Sequence, residues 1–287
     1  MPNFNPSARR NHEEEMMRSI AEQPWKTAVP PCQVAPHLYY AGNAWVGVFF
    51  LASKDGIVLF DTGLFSQVYT IFEGIRTMGF DPHDIKAILI SHGHYDHIGG
   101  LRTIAEYTGA PCYIPADDIA LMQDPTLAHS FDYPLSPLGE YTCYEYEKSI
   151  CAAGFEITPV HCPGHTPGTT SFILTDYDEQ GSPVRIAIHG GLGFVQLCDE
   201  CFTDASSAIA ARRLYRDTQT TLLNMPVDIP LSFHPYNVHM LERLEHSDWR
   251  ALIQPEMWKQ MLSERLVQLS ALEQESVFTN TGKDIAI

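Results

Sequence analysis

Four side chains that commonly bind metal ions stand close together in the sequence, at His92, His94, Asp96 and His97. They follow a nearly unbroken apolar run from Ile85 to Ile90, which is typical of a buried strand. Imidazole and carboxylate groups are rarely buried without a partner, so packing in a core does not explain this cluster. The sequence therefore predicts a metal site at the carboxyl end of this strand.

The spacing inside the cluster favours two adjacent metal ions over one four-ligand structural site. In an extended loop, His92 and His94 point the same way. Asp96 and His97 begin the next predicted helix, from which they can reach a second point nearby. Nitrogen and carboxylate ligands that leave a position open for water are typical of catalytic zinc, so we expect two Zn²⁺ ions per chain.

Two further histidines also follow predicted strands. His165 lies in the loop from His161 to Gly168, which two prolines and two glycines shape, and His234 is followed by Pro235. Three strand ends that each carry a histidine could converge on one cleft, and this cleft is the candidate active site.

The elements that must position these histidines occur in the order strands, helices, strands, helices. A hairpin turn at 54–56 separates the first two strands. Strands are predicted at 46–52, 56–60, 85–90, 112–114, 155–162, 169–175, 184–188 and 228–233. Helices are predicted at 13–21, 66–78, 101–107, 205–223, 238–245 and 255–272. This order predicts an α/β fold, an αββα four-layer sandwich, with an N-terminal extension at 1–30 and a single domain at 31–287.

Two segments are expected to determine substrate specificity, the proline- and tyrosine-rich loop at 125–147 and the loop at 192–204. Long loops inside compact domains are often functional. The second loop contains the only C-x-x-C motif, Cys198 and Cys201. Those two cysteines could form a redox pair, half of a zinc site, or two thiols without a chemical role.

The charge balance argues against a nucleic-acid partner. The 287 residues include 35 acidic and 18 basic side chains, which gives a formal charge of -17. A chain this acidic is repelled by a phosphate backbone unless a basic patch compensates, and the sequence has no Lys/Arg cluster. We therefore expect a small-molecule substrate.

The sequence also lacks the apolar segments that membranes and secretion require. It has no run of about 18 apolar residues and no apolar region near the N-terminus, so we expect neither a membrane span nor a signal peptide. The seven cysteines are scattered, which fits a reducing cytoplasm better than a disulfide framework.

The segment from His92 to His97 matches the H-x-H-x-D-H signature of the metallo-β-lactamase superfamily. The order of Asp61-Thr-Gly63, His165-Thr-Pro-Gly168 and His234-Pro235 also resembles that family, and the resemblance extends over 38–245. It implies an αββα sandwich with the metals at one edge of the sheets. The implied ligands of the first zinc are His92, His94 and His165, and those of the second are Asp96, His97 and His234.

Within the superfamily, the chain most resembles the lactamase subclass whose second zinc has an Asp-His-His ligand set. Many related hydrolases, such as glyoxalase II-like thioesterases and lactonases, carry a bridging aspartate after the strand at 184–188, where this chain has Gly191. Lactamases often bind the drug carboxylate with a serine near the same position, and Gly191 supplies no hydroxyl. The resemblance therefore supports the chemistry more firmly than a lactam substrate.

The resemblance implies a zinc-dependent hydrolase in which metal-bound hydroxide attacks the carbonyl of a cyclic amide or ester, as β-lactamases and lactonases do. Asp96 would orient the nucleophile as well as bind metal. Asp61 would hydrogen-bond the histidine loop. His189, at the end of the strand at 184–188, would either contact substrate, donate a hydrogen bond behind the site, or serve as a structural histidine.

Four other functions remain open. A thioesterase of the glyoxalase II type is disfavoured by Gly191, because the bridging carboxylate is missing. An iron redox enzyme on the same scaffold is disfavoured by His94, where such enzymes commonly have glutamate. The net charge disfavours a phosphodiester-cleaving nuclease, and the intact set of six ligands disfavours a binding protein without catalysis. The substrate and the oligomeric state are not determined by the sequence.

Overall fold

The structure is a computed structural model that describes residues 15, 18–124, 138–193 and 195–280. Twelve strands lie in these residues. They are β1 (Cys32–Gln33), β2 (Leu38–Tyr40), β3 (Phe49–Ser53), β4 (Gly56–Phe60), β5 (Ile85–Leu89), β6 (Cys112–Ile114), β7 (Thr142–Cys143), β8 (Ile150–Ala152), β9 (Phe155–His161), β10 (Thr170–Tyr177), β11 (Pro183–His189) and β12 (Ile229–Ser232).

The α-helices of the described residues connect and cover these strands. They are α1 (Val68–Thr77), α2 (Tyr95–Ile98), α3 (Leu101–Thr108), α4 (Ile119–Gln123), α5 (Ala205–Leu223), α6 (Met240–Leu244), α7 (Pro255–Glu275) and α8 (Val277–Asn280). Local sequence explains several of their ends. Gly109 ends α3 in the left-handed conformation, and the Asp204 side chain accepts a hydrogen bond from the Ser207 backbone N–H at the start of α5.

The strands form two sheets. The first has seven strands in the order β1 to β7, antiparallel up to β4 and parallel from β4 to β7. The second has five strands in the order β12-β11-β10-β9-β8, in which only β11 and β12 are parallel.

The main core lies between the two sheets, and β4 shows how the sequence produces it. Val58 and Phe60 belong to the same buried cluster as Phe172 and Leu231 of the second sheet. Ile57 and Leu59, which point to the opposite face, pack instead with apolar residues of α1 and α3. Because both faces of β4 are covered, its sequence is an unbroken apolar run. The predicted α/β four-layer sandwich is confirmed.

Short strands account for most of the differences from the predicted elements. β7 lies inside the segment predicted as a loop at 125–147, of which residues 125–137 lie outside the described part of the chain, as does Phe194 of the second loop. β1, β2 and β8 were also not predicted. Each has only two or three residues, and its backbone pairing with a neighbouring strand defines it.

The predicted helix at 238–245 also begins differently. A 3-10 turn covers Pro235–Val238, and His239 with φ 50° then separates it from α6. The N-terminal helix is described only in part. Its turn at 18–22 buries Ile20 and Ala21 in a cluster with Leu64. No helix in the described ranges is both long and apolar enough to cross a membrane.

The strands that carry the predicted site residues all end at one edge of the sandwich. In the first sheet β4 runs parallel to β5. In the second sheet β9, β11 and β12 run in one direction, because β9 and β11 are each antiparallel to β10. The Thr170 backbone N–H donates to the Ser91 carbonyl over 2.9 Å, which joins the two sheets at this edge.

Candidate metal centre

Asp61, at the end of β4, supports the loop that carries the histidine cluster. Its Oδ1 accepts a hydrogen bond from the Ser91 backbone N–H, and its Oδ2 accepts one from the Ser91 hydroxyl, both over 2.7 Å. The same Oδ2 lies 2.6 Å from Nδ1 of His97. Burial raises the pKa of the Asp61 carboxyl, while His97 and Ser91 act in the opposite direction.

The first group of converging donors contains His92, His94 and His165, whose ligand atoms all lie within 4.8 Å of one another. Nδ1 of His92 contacts the Ser91 hydroxyl, so its Nε2 is the atom that faces Nδ1 of His94, 3.1 Å away. Ligands about 2.1 Å from a tetrahedral zinc lie about 3.4 Å apart. The separation of these two nitrogens therefore fits a shared metal ion.

The second group contains Asp96, His97 and His234, again with ligand atoms within 4.8 Å of one another. Oδ2 of Asp96 lies 3.3 Å from Nε2 of His97 and 3.7 Å from Nε2 of His234. Nδ1 of His234 donates to the Trp45 carbonyl over 2.8 Å, which turns Nε2 towards Asp96. Hydrogen bonding of the remote ring nitrogen in this way is usual for histidines that bind metals.

The electrostatics of both groups fit divalent cations. Burial and the neighbouring imidazoles lower the pKa of His92 well below its usual value, so its ring is neutral, the form that binds metal. Burial also lowers the pKa of His97, but the carboxylates of Asp96 and Asp61 raise it to about 10. The second group thus favours a positive charge, which a bound cation supplies. In the described ranges, neither Cys198 nor Cys201 belongs to these donor groups.

Gly191 lies against His165, and a side chain at this position would overlap the imidazole. A Cβ atom on Gly191 would be 2.3 Å from Cδ2 of His165, and one on Gly193 would be 2.6 Å from its Nδ1. Both glycines therefore let the backbone approach the imidazole ring. A carboxylate or hydroxyl side chain at Gly191 would therefore require the His165 ring to move.

His189 is completely buried behind this glycine segment. Its Nδ1 accepts a hydrogen bond from the Gly191 backbone N–H, and its Nε2 lies 3.2 Å from Oε1 of Gln219. Both ring nitrogens therefore have partners inside the protein. Of the roles that the sequence left open for His189, this position favours support of the Gly191 backbone over contact with a substrate.

His189 makes the stability of the fold sensitive to acid. Burial lowers its pKa from 6.5 to about 4, although the hydrogen bond with Gln219 acts in the opposite direction. The unfolded chain therefore takes up the proton first, and the stability contributed by the neutral ring is complete above pH 6.5 and is lost towards pH 4. Relative to His189→Gln, the metal-free wild type should lose about 2 kcal/mol between pH 7 and pH 5. Urea unfolding at both pH values measures this difference, and parallel curves would contradict it.

Two residues that position His234 were missed in the sequence. Oδ1 of Asn43 accepts hydrogen bonds from the backbone N–H groups of Trp45 and Val46, each over 2.7 Å, and Asn43 is itself buried. This turn directs the Trp45 carbonyl at His234. Asparagine commonly forms such turns, but the sequence does not show that the Trp45 carbonyl faces His234, which is 189 residues beyond Trp45.

Comparisons with known proteins agree with this architecture. The family model described as "Metallo-beta-lactamase superfamily" matches residues 42–178. The probable metallo-hydrolase YqgX of Bacillus subtilis is 28% identical over 161 residues, which are 54% of this chain and 72% of YqgX. An N-acyl homoserine lactonase of a Bacillus species is 25% identical over 170 residues, 50% of this chain and 62% of the lactonase.

A solved structure extends the similarity to nearly the whole fold. The Rm3 metallo-β-lactamase superposes with a TM-score of 0.78 at 25% sequence identity, over 88% of this chain and 97% of the lactamase. The matched segment 42–178 contains five of the six donor residues of the two groups, all except His234. The chain thus matches the metallo-β-lactamase superfamily in sequence over residues 42–178 and shares the metallo-β-lactamase fold.

Proposed function

We propose that the chain is a dinuclear zinc hydrolase that opens a cyclic amide or ester. The observation that carries this proposal is the pair of adjacent donor groups, each with three nitrogen or carboxylate ligands. The groups are in contact, since the ring centroids of His92 and His97 are 3.9 Å apart. Two metal ions held this close can act on one substrate. Residues 31–287 would form the catalytic domain.

In this mechanism His92, His94 and His165 would hold one zinc ion, and Asp96, His97 and His234 would hold the other. When bound, the zinc ions supply an acidified water and polarise the carbonyl of the substrate.

The side chains and backbone around the ligands keep them in place for this reaction. Asp61 and the Trp45 carbonyl hold the rings of His97 and His234 through their remote nitrogens. Asp96 would orient the attacking water by accepting a hydrogen bond from it. This arrangement requires no Ser-His-Asp triad.

Metal analysis and a substrate panel test the proposal together. We expect two zinc ions per purified chain, and hydrolysis of a chromogenic cephalosporin, of an N-acyl homoserine lactone, or of both. Protein stripped with a chelator is the control and should be inactive until Zn²⁺ is restored. Failure to bind zinc, or binding without turnover of either ring type, would contradict the proposal.

Among cyclic substrates, the comparisons name both ring types, since one relative is an N-acyl homoserine lactonase and one solved structure is a metallo-β-lactamase. Gly191 does not separate the two, because it supplies neither the bridging aspartate that many lactonases carry nor the hydroxyl with which many lactamases bind the drug carboxylate. The alternative of a glyoxalase II-like thioesterase requires a carboxylate at that position, and S-lactoylglutathione belongs in the panel to test it. Iron instead of zinc in the metal analysis would point to the redox alternative.

A further inference from the structure

One buried carboxylate, Asp118, connects the two loops that carry the first donor group. Asp118 lies just before α4 and is completely buried. Its Oδ2 accepts hydrogen bonds from the Gly93 backbone N–H and from the Thr166 hydroxyl, both over 2.7 Å, and its Oδ1 accepts one from the Gly168 backbone N–H over 2.6 Å. Gly93 stands between His92 and His94 in the sequence, and Thr166 follows His165.

The two glycines that donate to Asp118 lie close to its side chain. A Cβ atom on Gly168 would lie 2.7 Å from Cγ of Asp118, and one on Gly93 would lie 3.1 Å from its Cβ. Neither is among the glycines with positive φ in the described residues, so their backbone conformations do not require glycine. A side chain at Gly168 would collide chiefly with Asp118, and one at Gly93 would crowd Asp118 together with Met122 and Leu121.

The hydrogen bonds and the buried charge depend on each other. A carboxylate taken out of water is strongly unfavourable unless donors replace the lost hydration. The three donors come from two loops that are distant in sequence. All three hydrogen bonds to Asp118 can therefore form only at one distance between these loops. The Thr170–Ser91 backbone hydrogen bond also joins these loops at the sheet edge, and the Ser91 hydroxyl contacts Nδ1 of His92, whereas Asp118 binds the backbone between His92 and His94.

We propose that Asp118 is the positioning residue of the first metal site: it sets the distance between the His92/His94 loop and His165, and thereby the metal affinity of that site. Asp118 does not itself bind the metal. The inference rests on the proposed function in one respect, namely that the first donor group binds zinc. In the second donor group, Asp61 and the Trp45 carbonyl hold the rings of His97 and His234 through their remote nitrogens, so the affinity of that group should not depend on Asp118.

The variant Asp118→Asn tests this assignment, with Asp176→Asn as its matched control. Asp176 is also buried and accepts three hydrogen bonds, from the backbone and ring of His37 and from the Tyr177 backbone, each over 2.8 Å. It lies at the opposite end of β10 from the metal centre. In both variants an amide replaces one acceptor oxygen with a donor, so both should lose stability, whereas only Asp118→Asn should change metal binding.

The measurement is the Zn²⁺ affinity of the metal-free protein in competition with a chelator, alongside its urea unfolding midpoint. In the background of His234→Ala, where the first site is left, Asp118→Asn should weaken Zn²⁺ binding by about 10- to 100-fold, the usual effect of losing a support behind a metal ligand. In the background of His165→Ala, where the second site is left, it should leave the affinity unchanged. Asp176→Asn should leave both affinities unchanged.

Equal losses at both sites, or no loss at the first, would overturn the assignment of Asp118. If Asp118→Asn does not fold, Gly168→Ala serves instead, since its methyl group displaces the carboxylate; Gly139→Ala, in open space, is its control. The same selective loss at the first site is then expected, and its absence overturns the inference. Failure of the proposed function is distinguishable, because it would appear in the proteins with an intact Asp118, either as no Zn²⁺ binding or as Zn²⁺ binding without turnover of either ring type.

Discussion

Replacement of His165 by alanine is expected to leave one metal ion per chain and to lower kcat/KM by about 10³-fold. The rate falls because one cation no longer polarises the reacting carbonyl. That cation is expected to stabilise the transition state by about 4 kcal/mol. Because Asp96, His97 and His234 form a separate donor group, the second metal ion should remain. Zinc content by atomic absorption and steady-state kinetics on the best substrate of the panel measure the two effects.

His83→Ala is the control for this prediction. His83 is about half exposed, lies near exposed Asp81 and is not a member of either donor group. This variant should keep both metal ions and wild-type kinetics. Loss of both ions in His165→Ala would show that the two groups bind cooperatively, and unchanged kinetics would contradict a catalytic role for the first site.

Replacement of Gly191 by aspartate is expected to destroy the first metal site and not to create a bridging carboxylate. Its Cβ would stand 2.3 Å from Cδ2 of His165, well inside van der Waals contact, so the imidazole must move. A displacement of about 1 Å in a catalytic group can cost about 10²-fold in rate. We therefore expect loss of one zinc ion and a fall in kcat/KM of at least about this size.

Gly139→Asp provides the comparison, since a Cβ there meets no atom within 4 Å. It adds the same charge to the surface and should leave zinc content and kinetics unchanged. The outcome that would contradict the expected result is a Gly191→Asp protein that keeps two zinc ions and gains activity on S-lactoylglutathione. Gly191 would then determine which class of substrate is hydrolysed, and packing against His165 would not require a glycine.

The residues of the metal centre could be predicted from the sequence because each follows a strand. A buried strand is visible as an apolar run, and the residue types that come directly after it are visible as well. In this way the run at 85–90 located the cluster from His92 to His97. Parallel strands place their carboxyl ends at one edge, so the convergence of the loops follows from the order of the elements.

The supports of those residues could not be predicted in the same way. Asp118 is 25 residues from Gly93 and 50 from Gly168, and its partners are mostly backbone N–H groups, which every residue except proline carries. A backbone donor leaves no signature in the sequence. The same holds for the Trp45 carbonyl that orients His234, and for β7, which is defined by its pairing with β6.

The sequence by itself thus determined the class of fold and which side chains can bind metal, because apolar patterning and residue type are properties of single segments. Only the tertiary structure decided that Gly191 makes room for His165, that His189 is sealed behind it, and that Asp118 joins two ligand loops. Each of these depends on the distance between segments far apart in the chain. Packing and the need to satisfy buried polar groups set such distances, and neither is a property of one segment alone.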